Sequence, residues 1–162
     1  MSYRLEDQQI VGGSLDQVFA FFKDPRNLES LTPAFLGFRV VESTDQVVRL
    51  NTQIRYRLRL HGIPLGWTSR ITEYVEGELF ADEMLSGPYR RWYHRHLFRT
   101  VPGGVEIRDI VEYELPFGVF GRLAHTLFVR RQLQAIFAHR TRVIATLFPA
   151  PTPFLDHEAV PR

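Results

Sequence analysis

The stretch Arg90-Arg91-Trp92-Tyr93-His94-Arg95-His96-Leu97-Phe98 decides how the whole chain is read. As a strand it sends successive side chains to opposite faces. Trp92, His94, His96 and Phe98 then share one face, and Arg91, Tyr93, Arg95 and Leu97 share the other. The first face is apolar at both ends and carries two imidazoles in its middle. Histidines on an inward face need partners, because an unpaired buried polar group costs roughly 1–3 kcal/mol.

Neighbouring segments have the same period of two. Before it, Leu79 to Leu85 puts Phe80, Asp82 and Met84 on one face, and Ser86-Gly87-Pro88 turns the chain. After it, Pro102-Gly103-Gly104 turns into Val105 to Leu115, where Ile107, Asp109, Val111 and Tyr113 share a face. Further back, Thr52 to Leu60 alternates inward Ile54, Tyr56, Leu58 and Leu60 with outward Arg55, Arg57 and Arg59. The turn at His61-Gly62-Ile63-Pro64 leads to Leu65, Trp67, Ser69 and Ile71 on one face. Phe38 to Glu42 reads as a short strand. Connections this short imply antiparallel neighbours throughout.

The ends of the chain have a different pattern. Tyr3 to Val11 reads as a first strand ending at Gly12-Gly13. Ser14-Leu15-Asp16-Gln17 is a capping-box pattern opening a short aromatic helix with Val18, Phe19, Phe21 and Phe22. Asp24-Pro25 ends it and starts a second helix, expected to run through Leu28 and Leu31 to Thr32-Pro33. Pro116 to Gly121 reads as an irregular apolar loop. Arg122 to Phe148 is helical and proline-free, with Val129, Leu133, Ile136, Val143 and Leu147 as the buried stripe and Phe137 and Ile144 beside it. Residues 1–148 form one expected domain. Residues 149–162, with Pro149, Pro151 and Pro153, are expected to be a flexible proline-rich tail. The result is an α+β order. A sheet of about seven strands tends to curl, and one long helix cannot cover all of it, so a cavity between the two is expected.

Composition narrows the function classes. Without cysteine there is no disulfide and no thiolate metal site. The net charge is +2, Lys23 is the only lysine, and no arginine cluster alternates with aromatics over a long stretch, which argues against nucleic-acid binding. Met1 to Ile10 is polar without an apolar signal core. No run approaches the roughly 18 apolar residues of a membrane span. A soluble cytoplasmic protein without stable membrane association is the expectation.

Order and motifs together resemble the START-related helix-grip superfamily (SRPBCC), which includes birch-pollen-allergen-like proteins, lipid-transfer START domains and polyketide cyclase/dehydrases. The chain looks most like the bacterial polyketide cyclase/dehydrase-like ligand-binding subgroup. The matching stretches are Asp24-Pro25-Arg26-Asn27-Leu28, Leu31-Thr32-Pro33, Gly62-Ile63-Pro64 with Trp67, Gly87-Pro88-Tyr89, Trp92 with His94, His96 and Phe98, Asp109, and Leu115-Pro116-Phe117-Gly118. The resemblance implies a curved antiparallel sheet gripping the C-terminal helix, and a hydrophobic small molecule or lipid bound between them. Some relatives catalyse on their ligand and others do not, so fold alone does not choose.

Pairing Asp82 with His94 across one hairpin places Phe80 opposite His96 and Met84 opposite Trp92. Pairing His96 with Asp109 across the other places Phe98 opposite Ile107 and His94 opposite Val111. Asp82, His94, His96 and Asp109 then meet inside an aromatic frame. The favoured reading is a polar rivet in which the four satisfy one another. The alternatives are a ligand-contacting group or a general acid/base pair of cyclase/dehydrase type. Two histidines and a carboxylate are also a metal ligand set, but alternating strand positions constrain it loosely, so no metal and no cofactor are assigned. Tyr56, Trp67, Phe80, Trp92, Tyr113 and Phe137 are candidates to line the cavity, with plain core as the favoured reading for any single one. Arg140 falls on or near the helix stripe. It either meets a ligand carboxylate or Asp109 or, as favoured, lays its stem on apolar surface and sends its head to water. Phe117, Val119 and Phe120 are candidates for a portal to the cavity or a membrane contact; Arg130 and Arg131 nearby would suit anionic lipid, but a solvated helix face is the favoured reading. A homodimer through the sheet edge or this loop is a third reading.

Overall fold

A computed structural model describes residues 2–60 and 62–150; within it, the side chains of Phe120, Arg122, Ala124 and His125 are left undescribed. Most of the expected tail, residues 151–162, and His61 of the expected turn lie outside the described residues.

The seven strands are β1 (Ser2–Val11), β2 (Arg39–Ser43), β3 (Gln53–Leu60), β4 (Ile63–Val75), β5 (Leu79–Ser86), β6 (Arg91–Val101) and β7 (Gly104–Glu114). They form one antiparallel sheet in the order β1-β7-β6-β5-β4-β3-β2. Strands β2 to β7 are a meander, and β1 returns beside β7 along its whole length, Ser2 opposite Glu114 and Val11 opposite Val105. The sheet bends at β4, the longest strand. Its pairing with β5 shifts register between Thr68 and Ser69 and between Ile71 and Glu73, and such irregularities increase local twist and curvature. Val11 and Gly104 approach so closely at the far end that a Cβ on Gly104 would sit 1.9 Å from the Val11 carbonyl oxygen.

The helix α1 (Leu15–Lys23) begins with the expected capping box. The Gln17 N–H donates to Ser14 Oγ at 3.3 Å, and the Ser14 N–H donates to Gln17 Oε1 at 3.1 Å. The second helix is shorter than its sequence suggests. It is a 3-10 turn, Pro25–Leu28, with Asp24 as its cap, and looser turns carry the chain to Thr32. Side chains there take backbone carbonyls: Asn27 Nδ2 donates to Phe21 O, Ser30 Oγ to Asn27 O and Thr32 Oγ1 to Leu28 O. Such bonds compete with a continued helix. A second 3-10 turn, Ala34–Leu36, follows Pro33.

The C-terminal helix also differs. It starts inside the segment expected to be a loop, as α2 (Gly118–Ala124), passes through a π-turn (His125–Val129) and continues as α3 (Arg130–Leu147). The five-residue π-turn shifts the phase of the helix faces. The buried stripe of α3 is Leu133, Phe137, Arg140 and Ile144, while Leu147 is exposed. Phe137 and Ile144 are its centre instead of its flank. Treating Arg140 as polar hides the 4-3-4 spacing. No described helix is long and apolar enough to cross a membrane.

Two apolar clusters fill the space between sheet and helices. One gathers Val18, Phe19 and Phe22 of α1 with Ile71, Phe80, Phe98, Ile107 and Ile144. The other joins Trp67, Trp92, Val111 and Tyr113 to Leu133 and Phe137 of α3. Strand β6 runs from one to the other: Trp92 belongs to the second, Phe98 to the first, and His94 and His96 fall between.

The capping box ties α1 to the end of β1, so Ser14→Ala is expected to lower stability by about 1 kcal/mol, read from the midpoint of urea unfolding. An unchanged midpoint would mean that aromatic packing alone holds α1.

Candidate functional site

Turns fix the hairpins, and the hairpins place the polar side chains. Asp82 lies opposite His94 and Phe80 opposite His96 across β5–β6. Asp109 lies opposite His96, Val111 opposite His94 and Ile107 opposite Phe98 across β6–β7. The β5–β6 ladder ends at Glu83 and Tyr93, so Met84 and Trp92 are not a ladder pair as expected.

Asp109, 3 % exposed, is the hub. Its Oδ1 accepts from His94 Nε2 at 3.0 Å, from His96 Nδ1 at 2.7 Å and from Arg140 Nη2 at 3.2 Å. These contacts fix the protons: each imidazole carries hydrogen on the nitrogen that faces Asp109. Arg140 Nη2 also lies 3.1 Å from His96 Nδ1, but both are donors there, so the guanidinium's bond goes to the carboxylate. Arg140 is only 7 % exposed and lies over the Phe22 ring at 5.0 Å. The favoured expectation of a head in water is therefore overturned, since a carboxylate inside the fold outcompetes solvent.

The other ring nitrogens turn to Asp82. His96 Nε2 is 3.5 Å and His94 Nδ1 3.8 Å from Asp82 Oδ2. The second carboxylate oxygen, Oδ1, accepts from Ser69 Oγ at 3.1 Å. Ser69 then has two lone pairs left. They accept from Trp67 Nε1 at 3.0 Å and from the Tyr56 hydroxyl at 2.5 Å. Ser69 is fully satisfied, and sequence reasoning missed it as a site residue. Its one signal was a lone small hydroxyl in the inward series Leu65, Trp67, Ser69, Ile71.

Burial acts differently on each group. Burial, together with the neighbouring charge of His96, pushes the His94 imidazole down to about 4 against the pull of Asp109. Burial would also lower His96, but the charge of Asp109 and its bonds to Asp109 and Asp82 raise it above the ordinary imidazole value. Burial would raise Asp109, yet the Arg140 guanidinium and His96 hold it well below the usual carboxylate range. Asp82 is lowered too, burial being outweighed by the bond from His96 and the two imidazoles. The surroundings thus favour the charged form of both carboxylates and of His96, and the neutral form of His94, beside the Arg140 guanidinium.

A cavity of about 190 Å³ opens beside this cluster. The candidates Tyr56, Trp67, Trp92 and Phe137 line it, and Asp82, His94, His96 and Arg140 form its polar floor. Its remaining wall is mainly apolar, with Leu31, Leu36, Phe38, Leu58, Tyr89 and Leu133 among others and Thr32 and Gln132 as polar members. Phe80 lines a smaller lobe of about 60 Å³ on the α1 side, which shares Tyr56, Asp82, His96 and Arg140. Two of the candidate site residues, Asp109 from the polar cluster and Tyr113 from the lining set, sit away from this cavity. Asp109 lies behind the imidazoles, and Tyr113 faces a groove between β1 and α3, stacked on Tyr3 at 5.5 Å. Phe117 and Val119, candidates for a portal, border a separate cleft with Tyr3 and Arg90. Among the described residues, Asp82, His94 and His96 form a group that could hold a metal ion.

Comparison with known proteins agrees with this architecture. The family model for polyketide cyclase / dehydrase and lipid transport proteins matches residues 11–139. No curated protein matches the chain. TTHA0849 of Thermus thermophilus superposes with a TM-score of 0.68 at 15% identity, covering 90% of this chain and 99% of its own. Ginseng major latex-like protein 151 from Panax ginseng gives 0.66 at 13% identity, covering 91% and 98%. A START superfamily protein from Mycobacterium smegmatis gives 0.66 at 10% identity, covering 90% and 96%. At these identities the likeness is one of fold.

The two imidazoles make opposite contributions to stability. An unfolded histidine titrates near 6.5, so His94, held neutral to about 4, makes stability fall as pH drops from roughly 6.5 to 4. His96, raised, adds stability below roughly 6.5 that is lost as pH climbs through its folded value. Asp82 and Asp109, depressed, add stability above roughly 4 that is lost as pH falls through theirs. NMR titration of the metal-free protein is expected to show His94 neutral and His96 protonated at pH 6.5. Coincident midpoints for the two rings would contradict the assignment.

Proposed function

Because the chain belongs to the polyketide cyclase / dehydrase and lipid transport family, we propose that it binds one small hydrophobic, preferentially aromatic molecule between sheet and α3. The observation that carries this reading is the apolar cavity beside the buried cluster, framed by Trp67, Trp92, Tyr56 and Phe137. Trp67 and Trp92 meet edge to face at 5.3 Å, and Tyr56 stacks on Trp67 at 6.0 Å, leaving flat aromatic surface toward the space. An engineered apolar cavity of about 150 Å³ accepts benzene, and ligand pockets generally start at about 300 Å³. A volume near 190 Å³ therefore suits one or two rings better than a long acyl chain. The floor supplies direction: Asp82 keeps 16% of its side chain accessible and offers an acceptor to a ligand hydroxyl or amine.

A purely structural role explains the cluster less well. Hydrophobic residues of similar volume often replace a buried ion network at no loss of stability. Four charged or titratable side chains gathered on a cavity floor are better accounted for as a recognition surface. Acid/base catalysis through His94 has less support, because a general base works best near the operating pH and His94 is far weaker than that.

The chain's two tryptophans both line the cavity, so their emission reports occupancy directly. Titration with 2-naphthol is expected to give a saturable change in tryptophan emission in the micromolar range. Leu58→Phe, which fills part of the cavity, is expected to weaken it roughly tenfold, equivalent to about 1.4 kcal/mol. No saturable response, or one that Leu58→Phe leaves untouched, would rule out this cavity as the binding site.

A further inference from the structure

Three donor atoms converge at the cavity floor. His94 Nδ1 and His96 Nε2 both face Asp82 Oδ2, at 3.8 and 3.5 Å, and the donor atoms of these three residues lie within 4.8 Å of one another. Each is also aimed by a partner on its other side. His94 Nε2 and His96 Nδ1 are held by Asp109 Oδ1, and Asp82 Oδ1 by Ser69 Oγ. With hydrogens on the nitrogens facing Asp109, neutral His94 presents a lone pair at Nδ1, and His96 presents one at Nε2 once the incoming ion displaces its second proton. Metal-binding histidines are commonly oriented in this way, with the second ring nitrogen donating to a carboxylate. Here one carboxylate serves both rings.

We propose that Asp82, His94 and His96 form a binding site for a divalent transition-metal ion of the zinc type, with Asp109 and Ser69 as positioning residues. Two imidazoles and one carboxylate suit zinc and its first-row neighbours better than magnesium or calcium. Zinc about 2.1 Å from each donor, at tetrahedral angles, requires donor separations of about 3.4 Å. The observed 3.5 and 3.8 Å to Asp82 lie within a few tenths of an ångström of that, and the separation between the two imidazole nitrogens, within 4.8 Å, closes by small rotations of the rings. Arg140 contacts Asp109 and the His96 nitrogen that faces it, so its charge offsets Asp109 and not Asp82. All three ligands line the larger cavity. The next coordination position therefore falls to an oxygen or nitrogen atom of whatever the cavity holds, or to water.

The test is equilibrium dialysis of chelator-treated, folded protein against Zn²⁺, with visible absorption after Co²⁺ addition to report nitrogen and oxygen ligands. One ion per chain is expected, with a ligand-field spectrum. Asp82→Asn, which keeps a side-chain oxygen for Ser69, is expected to abolish binding, and His94→Phe likewise. Asp109→Asn is expected to weaken it roughly 10- to 100-fold. If a histidine variant fails to fold, Asp82→Asn and the wild type still decide. No uptake by folded wild type at millimolar Zn²⁺ overturns the proposal, and so does uptake that Asp82→Asn leaves unchanged. Tryptophan emission with 2-naphthol, measured on metal-free protein, keeps ligand binding separate from metal binding, so either can fail alone.

Discussion

One carboxylate oxygen, Asp109 Oδ1, accepts from two imidazoles on β6 and from a guanidinium on α3. A buried carboxylate is tolerated only with such company. The consequence is geometric. Asp109 fixes the tautomers of His94 and His96, and through Arg140 it pins the middle of α3 against the middle of the sheet. Helix packing on a sheet is otherwise a matter of fitting apolar surfaces, which tolerates rotation and sliding. A directed bond from position 140 does not, so Leu133 and Phe137 fall on one side of the cluster and Ile144 on the other.

This division explains why the interior is more tightly filled at one end than at the other. On the first side, α1 fills the curve of the sheet: Phe19 meets Phe98 at 5.1 Å and Phe80 at 6.1 Å, and Phe22 meets Phe98 at 5.1 Å. On the second side, among the described residues, α1 does not extend over β3 or over the part of β4 around Trp67. The short turn Ala34–Leu36, with Phe38, closes the space only from the rim. The cavity is what remains where α1 ends and the turns cannot reach. Its polar floor is therefore the outer surface of the same cluster that pins the helix.

Strand register was legible in the sequence because it is local. Ser86-Gly87-Pro88 and Pro102-Gly103-Gly104 bound the two hairpins, and a one-residue slip would have sent Trp92 and Phe98 into water. The meeting of His94 and His96 with Asp82 and Asp109 followed from those two constraints. The role of Arg140 did not, because its partners are 31 and 44 residues away and helical periodicity counts an arginine as surface. Ser69 was overlooked for a related reason: its importance lies in bonding partners drawn from β3, β4 and β5, which its own segment does not announce. The π-turn at His125–Val129 has no proline or glycine to mark it. The second helix failed at Asn27, Ser30 and Thr32, whose side chains act on backbone groups in ways that a count of apolar spacing omits.

The same convergence of His94, His96 and Asp82 can be closed by a proton or by a metal ion, and the difference bears on what the cavity presents. A proton on His96 neutralises Asp82 from behind and leaves a weakly polar floor, suited to a flat aromatic ligand with one hydroxyl. A divalent ion draws both imidazoles and Asp82 inward and replaces an acceptor with an electrophile, suited to a ligand that brings its own oxygen or nitrogen lone pair. The apolar walls are indifferent to this exchange, since Trp67, Trp92, Tyr56 and Phe137 bind a ring in either state. Affinity for the ring and choice of its polar group are thus carried by different parts of the site. The first resides in aromatic surface set by strand alternation, and the second in whatever occupies the point on which three donor atoms converge.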